Sequence, residues 1–278
     1  MFAFIAIPFA MAFVLAFTNQ RLVPNLNLPT QVVGLRNFQR MLEDEAFRRA
    51  LLNNLYFAIV VVPSQVVLSL LLAVLVNQKL RLVNIFRTIY FSPVAITMVV
   101  VSMIWGTLYD PRPEGAINQV IDFITFGRVG PQNWLGDARL ALPAIMLLSI
   151  WQGVGLQMTI YLAGLKRIPH SLYEAAQIDG ANKIQQFFYV TLPQLRNTTV
   201  SVLITTTILA FRLFTPVDIL TEGGPFNATT TTIHRIYLEG FRKLKVGYAS
   251  AMTTVFFLIV LGLSLMQHAA FREENTIE

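Results

Sequence analysis

The chain alternates long apolar runs with short polar stretches. Six runs stand out, at residues 2–17, 55–76, 89–109, 140–165, 198–220 and 249–270. Each of the last five has at least 21 residues. That suffices for a helix to cross a hydrocarbon core of about 30 Å at about 1.5 Å per residue. Asp, Glu, Lys and Arg are missing from every run except 198–220, which carries Arg212 and Asp218. Spans of an outer-membrane barrel would be about ten residues long and alternating, so these runs predict helices. The first run is the shortest, 16 residues that reach only about 24 Å as a helix. A signal peptide would need a basic lead and a small-x-small cleavage site, and neither is present. A true first helix is expected, tilted, slightly extended or preceded by further residues.

Composition agrees with this pattern. Of 278 residues, 55% are hydrophobic and 13% charged, and mean hydropathy is +0.58. An ordinary soluble domain is roughly 25% charged. The absence of cysteine excludes disulfide scaffolds, thiol catalysis and Cys-ligated zinc or iron–sulfur sites, and three His leave little for a metal centre. The net charge of +6 comes from basic residues scattered over loops between apolar runs, which suits a membrane protein and predicts no nucleic-acid partner. The loop charges do not by themselves orient the chain. With the N-terminus inside, the inner loops hold eight Lys and Arg and the outer loops twelve, although Lys79, Arg81 and Arg87 crowd into nine residues on the inner side.

The polar loop at 168–193 has local grammar of its own. Ser171 and Glu174 have capping-box spacing after Pro169. Leu172, Ala175, Ala176 and Ile178 give a short helix with a small, apolar side. Gly180 supplies a left-handed stop and Asn182 can cap a second helix. Ile184, Phe187, Phe188 and Thr191 recur at three and four residues as another apolar face, and Pro193 is expected to close the element. Two short helices bent at Asp179–Gly180 follow.

Several motifs resemble a known family. Glu174-Ala175-Ala176, Asp179-Gly180-Ala181, Phe187 and Thr191-Leu192-Pro193 resemble the EAA loop of binding-protein-dependent ABC importer permeases, within the sugar-type maltose and glycerol-phosphate group. Gly34-Leu35-Arg36-Asn37-Phe38, Phe86-Arg87 with Pro93, Asn133-Trp134-Leu135-Gly136-Asp137 with Leu142-Pro143, and Leu220-Thr221-Glu222-Gly223-Gly224-Pro225 with Asn227 and Thr229 are similar in the same order. The Gly-Gly-Pro segment resembles the first permease of such a pair. Against that pattern, a shorter N-terminal lead and no large extra periplasmic domain are expected.

The resemblance implies an all-α membrane protein, a single transmembrane domain over 1–278 with the six helices of a type I ABC importer permease. It implies a cytoplasmic coupling loop at 168–193 that docks an ATPase dimer through Glu174, Ala175, Ala176, Asp179, Gly180, Ala181, Phe187, Leu192 and Pro193. It further implies a bacterial inner membrane, both termini in the cytoplasm, and a second homologous permease subunit. Segments 115–130 and 222–247 would face a periplasmic or lipid-anchored binding protein. No G-x-x-x-x-G-K-[ST] loop occurs in the chain, so ATP and Mg would sit on the partner ATPase and no cofactor is expected here. No nucleophile–base pair marks an enzyme.

For the substrate path, the resemblance points to Ser149, Gln152, Gly153 and Leu156 on the fourth run and to Ala210, Phe211, Arg212 and Leu213 on the fifth, where Thr206 is a further candidate as a polar residue inside the span. Other polar or aromatic positions in the spans are Ser92, Thr97, Ser102, Gln157, Thr205, Thr207, Trp105, Tyr109 and Trp151. Ala210 and Leu213 stand where the maltose-type pattern has amides. Arg212 either snorkels or meets sugar hydroxyls or a phosphate; Asp218 is not on its helical face. A secondary transporter would need carboxylates near the midplane, and Asp218 lies near the end of its run.

Overall fold

The computed structural model describes residues 2–23, 29–78 and 83–272. Fourteen α-helices occur among them: α1 Phe2–Leu15, α2 Arg36–Glu43, α3 Glu45–Val76, α4 Val83–Ala95, α5 Met98–Leu108, α6 Ala116–Thr125, α7 Ala141–Leu165, α8 His170–Ile178, α9 Lys183–Gln186, α10 Leu192–Gln194, α11 Arg196–Phe211, α12 Thr215–Leu220, α13 Thr232–Tyr237 and α14 Val246–Arg272. Two π-helical turns, Phe187–Thr191 and Leu238–Arg242, interrupt the series. Four stretches among the described residues are long and apolar enough to cross a membrane: Glu45–Val76, Ala141–Leu165, Arg196–Leu220 and Val246–Ala270.

Neither of the remaining two runs forms a single helix of spanning length. The first ends at Leu15, because the Thr18 hydroxyl donates to Leu15 O at 2.9 Å and Thr18 then pairs with Val32. The third is a sharply bent pair, α4 and α5, broken at Ile96–Thr97. Pro93 weakens it there, since its missing amide and its ring disrupt the hydrogen bond back to residue 89. The second starts ten residues earlier than the apolar run, at Glu45, because Asp44 Oδ1 accepts from Ala46 N and Phe47 N and caps the helix. Lys79 and Arg81, two of the clustered basic residues, lie outside the described residues.

The helices pack in two compact units. One comprises residues 1–57, 102–145 and 211–263. Its core holds Met41, Phe47, Tyr248 and Met252, flanked by Phe38, Leu51, Ile236 and Val255. Asn37 Nδ2 donates to Ala16 O and Thr18 O, both at 2.8 Å, and Gly247 N donates to Gln20 O at 2.9 Å. Gly247 must be glycine for this: a Cβ would strike the Thr18 carbonyl. Asn118 gathers the 110–134 loop, donating to the carbonyls of Asp110, Arg112 and Gln132 while accepting from Gln132 N and Trp134 Nε1.

The other unit comprises residues 58–101, 146–210 and 264–278. Ala73, Val76, Met158, Tyr161, Leu162, Leu165, Leu195 and Val202 form its core. Gly155 lets the backbone of α4 approach α7, since a Cβ there would collide with the Tyr90 carbonyl. Small residues at such crossings are the usual device where lipid offers no hydrophobic drive between helices.

Candidate functional site

The elbow at 168–195 is built from local rules. α8 starts at His170 with Pro169 as its N-cap, so Ser171 lies inside the first turn and the expected Ser171–Glu174 capping box does not form. Glu174 instead meets His170 Nδ1 at 3.0 Å, an exposed contact. The end of α8 matches expectation: Gly180 has φ +81°, Gly180 N donates to Gln177 O at 3.0 Å and Ala181 N donates to Ala176 O at 2.8 Å. This paired closure satisfies orphan carbonyls and needs a left-handed residue at position 180. Asn182 and Gln185 then cap α9 reciprocally, side chain to backbone at 2.9 and 2.7 Å. Pro193 does not close the element; it sits in α10, and the chain continues through Leu195 into α11. Tyr173 OH and Thr191 Oγ1, 2.9 Å apart, lock α8 to the π-helical turn.

This rigid elbow leaves its apolar side bare. Ile178 is 87% exposed and Tyr189 79%, and Leu172, Ile184 and Phe188 are exposed as well. Ala175, Asp179, Gly180, Leu192 and Pro193 are exposed, whereas Ala176, Ala181 and Phe187 are half-buried. Phe187 packs edge-on against Phe188, with ring centroids 5.1 Å apart. α8 buries none of its residues. Bare apolar side chains on a capped element are of the kind found at interaction surfaces.

A second feature is a chain of buried amides in the same unit. Gln65 Nε2 on α3 donates to Ser149 O at 2.7 Å, and Gln157 Nε2 lies 3.4 Å from Gln65 Oε1 and 3.2 Å from Thr206 Oγ1. Gly153 sits where a Cβ would collide with the Gln65 amide. Ser149 and Thr206, expected path residues, are thus joined through Gln65 and Gln157. Gln65 was invisible to spacing, although an amide in the middle of an apolar run is itself a signal. Of the other expected path residues here, Gln152 is half-buried, Leu156 exposed and Ala210 buried.

Arg212 and Leu213 lie in the other unit, at a break between α11 and α12. Pro216 explains the break, because in a continuous helix its ring would clash with the Arg212 carbonyl. Phe211 O accepts from Asn54 Nδ2 at 3.3 Å and Leu213 O accepts from Thr231 Oγ1 at 2.7 Å. Leu213 is buried, while Arg212 is exposed and has no hydrogen-bond or ionic partner among the described residues.

The segment after α12 folds around buried threonines. Thr229 Oγ1 donates to Gly224 O at 2.8 Å and Thr230 Oγ1 donates to Gly223 O at 3.0 Å. Asn53 Nδ2 donates to Asn227 O and Thr230 O at 3.0 and 2.9 Å. Beyond it runs an ionic network: Arg235 reaches Asp44 at 3.1 Å and buried Glu239 at 3.0 Å, and Lys243 reaches Glu239 at 2.7 Å. Burial raises the Asp44 carboxyl, but hydrogen bonds from Tyr248 and Arg235 outweigh it and hold the group below the usual carboxylate range. Asp218, Glu222, His234, Leu238 and Arg242 line a recess of about 360 Å³. His234, 1% exposed, has its Nε2 3.6 Å from Asp218. Burial drives its imidazole below the ordinary range, against the pull of Asp218 and Glu222. Among the described residues no group of three His, Cys, Asp or Glu is placed to hold a metal ion.

Known proteins resemble this chain in sequence and in fold. Over 242 residues the chain is 38% identical to a probable ABC transporter permease protein, YurN, of Bacillus subtilis, covering 86% of this chain and 82% of that protein. Over 269 residues it is 34% identical to the arabinooligosaccharides transport system permease protein AraP of Halalkalibacterium halodurans, covering 94% of this chain and 84% of that protein. In fold it is similar to a chain of a bacterial ABC transporter involved in the import of the acidic polysaccharide alginate, with a TM-score of 0.83 at 23% identity, covering 98% of this chain and 91% of that one. Such relatives are transport components, not enzymes. The family model described as binding-protein-dependent transport system inner membrane component matches residues 45–272, and the chain, a multi-pass membrane permease subunit of the ABC importer type, belongs to that family.

Proposed function

We propose that this permease carries a sugar, glycoside or polyol, handed over by a periplasmic or lipid-anchored binding protein, through a pathway formed with a second homologous permease. The elbow at 168–195 docks in the cytoplasm on an ATPase dimer that holds ATP and Mg, and both termini lie on the cytoplasmic side of a bacterial inner membrane. The observation that carries this reading is the elbow itself. Its two helices are capped at Gly180 and Asn182, yet its apolar residues Ile178, Ile184 and Phe188 are left exposed among the described residues. A surface so stiff and so bare suits force transmission, since a partner that grips it moves α11 with it. The arabinooligosaccharides of AraP's name support the sugar class, and exposed Arg212 supplies a donor set for hydroxyl oxygens.

The chain has no cysteine, so an Ile178→Cys reporter is unambiguous. It should react with a membrane-impermeant maleimide only when the cytoplasmic face is open, and should crosslink to the ATPase in the assembled complex. Reaction from the opposite face would overturn the reading. In vesicles of the assembled importer, uptake should be vanadate-sensitive, and Arg212→Ala should raise KM or lower kcat. Wild-type kinetics in that variant would take Arg212 out of the path.

A further inference from the structure

We propose that the loop at 221–232 sets the conformation of the break at 212–214 through two side chains, Asn54 and Thr231, making both positioning residues for Arg212. Only the identity of what presses on the loop, the binding protein, and of what Arg212 meets, the substrate, rests on the function proposed above.

Ending α11 at Phe211 leaves backbone oxygens without helical partners, and inside a membrane span each needs a donor. Both donors found there come from outside α11 and α12: Asn54 Nδ2 takes Phe211 O and Thr231 Oγ1 takes Leu213 O. The other half of the Asn54 amide, Oδ1, accepts from Thr232 N at 2.7 Å. Two strands of bonding therefore leave the break and arrive at adjacent residues, 231 and 232, where α13 begins. Asn54, Thr231 and Thr232 are all 0% exposed, so water does not compete for these bonds.

The same segment is bonded onward to the loop tip. Thr230 and Thr229 donate to Gly223 O and Gly224 O, the Thr221 and Thr229 hydroxyls lie 2.7 Å apart, and Asn53 holds the carbonyls of Asn227 and Thr230. Phe226 at the tip is 85% exposed, with φ +51°. A force on the tip shifts 229–232 as a body, and 231–232 cannot shift without moving or releasing the carbonyls of Phe211 and Leu213. Arg212 lies between those two carbonyls and has no hydrogen-bond or ionic partner among the described residues, so its exposure follows theirs.

The test reads the full chain in membrane vesicles. An Arg212→Cys reporter is alkylated with a small maleimide in four backgrounds: none, Thr231→Val, Thr231→Ser and Asn53→Ala. Thr231→Val keeps the shape and removes the donor, and should raise the alkylation rate about fivefold or more, as expected for loss of a buried hydrogen bond. Thr231→Ser keeps the hydroxyl and should return the rate to within about twofold of the unmodified background. Asn53→Ala touches only the loop carbonyls at 227 and 230, and should raise the rate in the same direction. An Ala16→Cys reporter, at a position 0% exposed in the folded chain, should stay unreactive in every background and certifies folding. Equal rates at the R212C reporter in all four backgrounds, or an unchanged rate in Asn53→Ala, would overturn the proposal. Because alkylation needs no partner or transported molecule, absence of vanadate-sensitive uptake would sink the functional reading while leaving this result to stand or fall separately.

Discussion

The elbow at 168–195 and the segment at 211–243 are both irregular helical connections, but they spend their side chains in opposite ways. In the elbow, backbone groups are satisfied locally, by the closure at Gly180 and the reciprocal cap at Asn182–Gln185, and the side chains are left facing out. In 211–243 the backbone is satisfied at long range, by Asn53, Asn54 and a run of threonines, and the polar side chains are buried. The first can be gripped without unfolding. The second cannot be disturbed without exposing unpaired carbonyls. Local satisfaction leaves a surface free for a partner, whereas long-range satisfaction binds a segment to the rest of its unit.

Thermal unfolding should display this contrast. The largest loss belongs to Asn54→Ala, which strips partners from Phe211 O and Thr232 N and should cost about 2–3 kcal/mol; a change within about 0.5 kcal/mol would break the comparison. Gly180→Val comes next. Position 180 has open space for a Cβ but φ +81°, so the cost is backbone strain, about 1–2 kcal/mol. Insertion should persist while substrate-stimulated ATPase activity is lost, and normal stimulation would count against the elbow's mechanical role.

A smaller effect is expected from acid. His234 titrates below its ordinary value because it is buried, so the folded protein takes its proton later than the unfolded chain does. Its contribution to stability is present above pH of about 6.5 and is lost as pH falls through the lowered folded value. His234→Gln should flatten that part of the stability–pH curve. The smallest effect is Ile178→Asp, within about 0.5 kcal/mol of wild type because the site is exposed, although assembly with the ATPase should fail. A strongly destabilised I178D protein would mean that the elbow is not a free surface.

Much of this was legible from the sequence where the governing rule is local. The apolar runs gave the long helices, and the Asp-Gly-Ala-Asn order gave the bend, since Gly at a left-handed stop and Asn at a cap act within four residues. The Ser171–Glu174 cap failed for an equally local reason: Pro169 already holds the extended N-cap backbone, so the helix begins before Ser171. The break in the fifth span was missed although Pro216 announces it four residues downstream. Asn54 and Thr231 were beyond reach, because their partners lie 157 and 18 residues away. Gln65 was in view as an amide in an apolar run, but its role depends on α7 coming close to α3, which only packing determines.

The π-helical turn Phe187–Thr191 constrains how this permease can be remodelled. A π turn accommodates one residue more than an α turn, and each residue advances a helix by about 100°. Deleting one amino acid between 187 and 191 would let the backbone relax into ordinary α geometry and leave Ile184 in the same phase against Leu195, because the wide turn already absorbs the extra residue; any other change in length would rotate the two by that angle. The elbow's length is therefore quantised. Hybrid permeases that exchange this stretch with a relative, keeping its apolar residues, should work when the residue count from Asn182 to Leu195 is preserved or is one fewer with an α turn in place of the π turn.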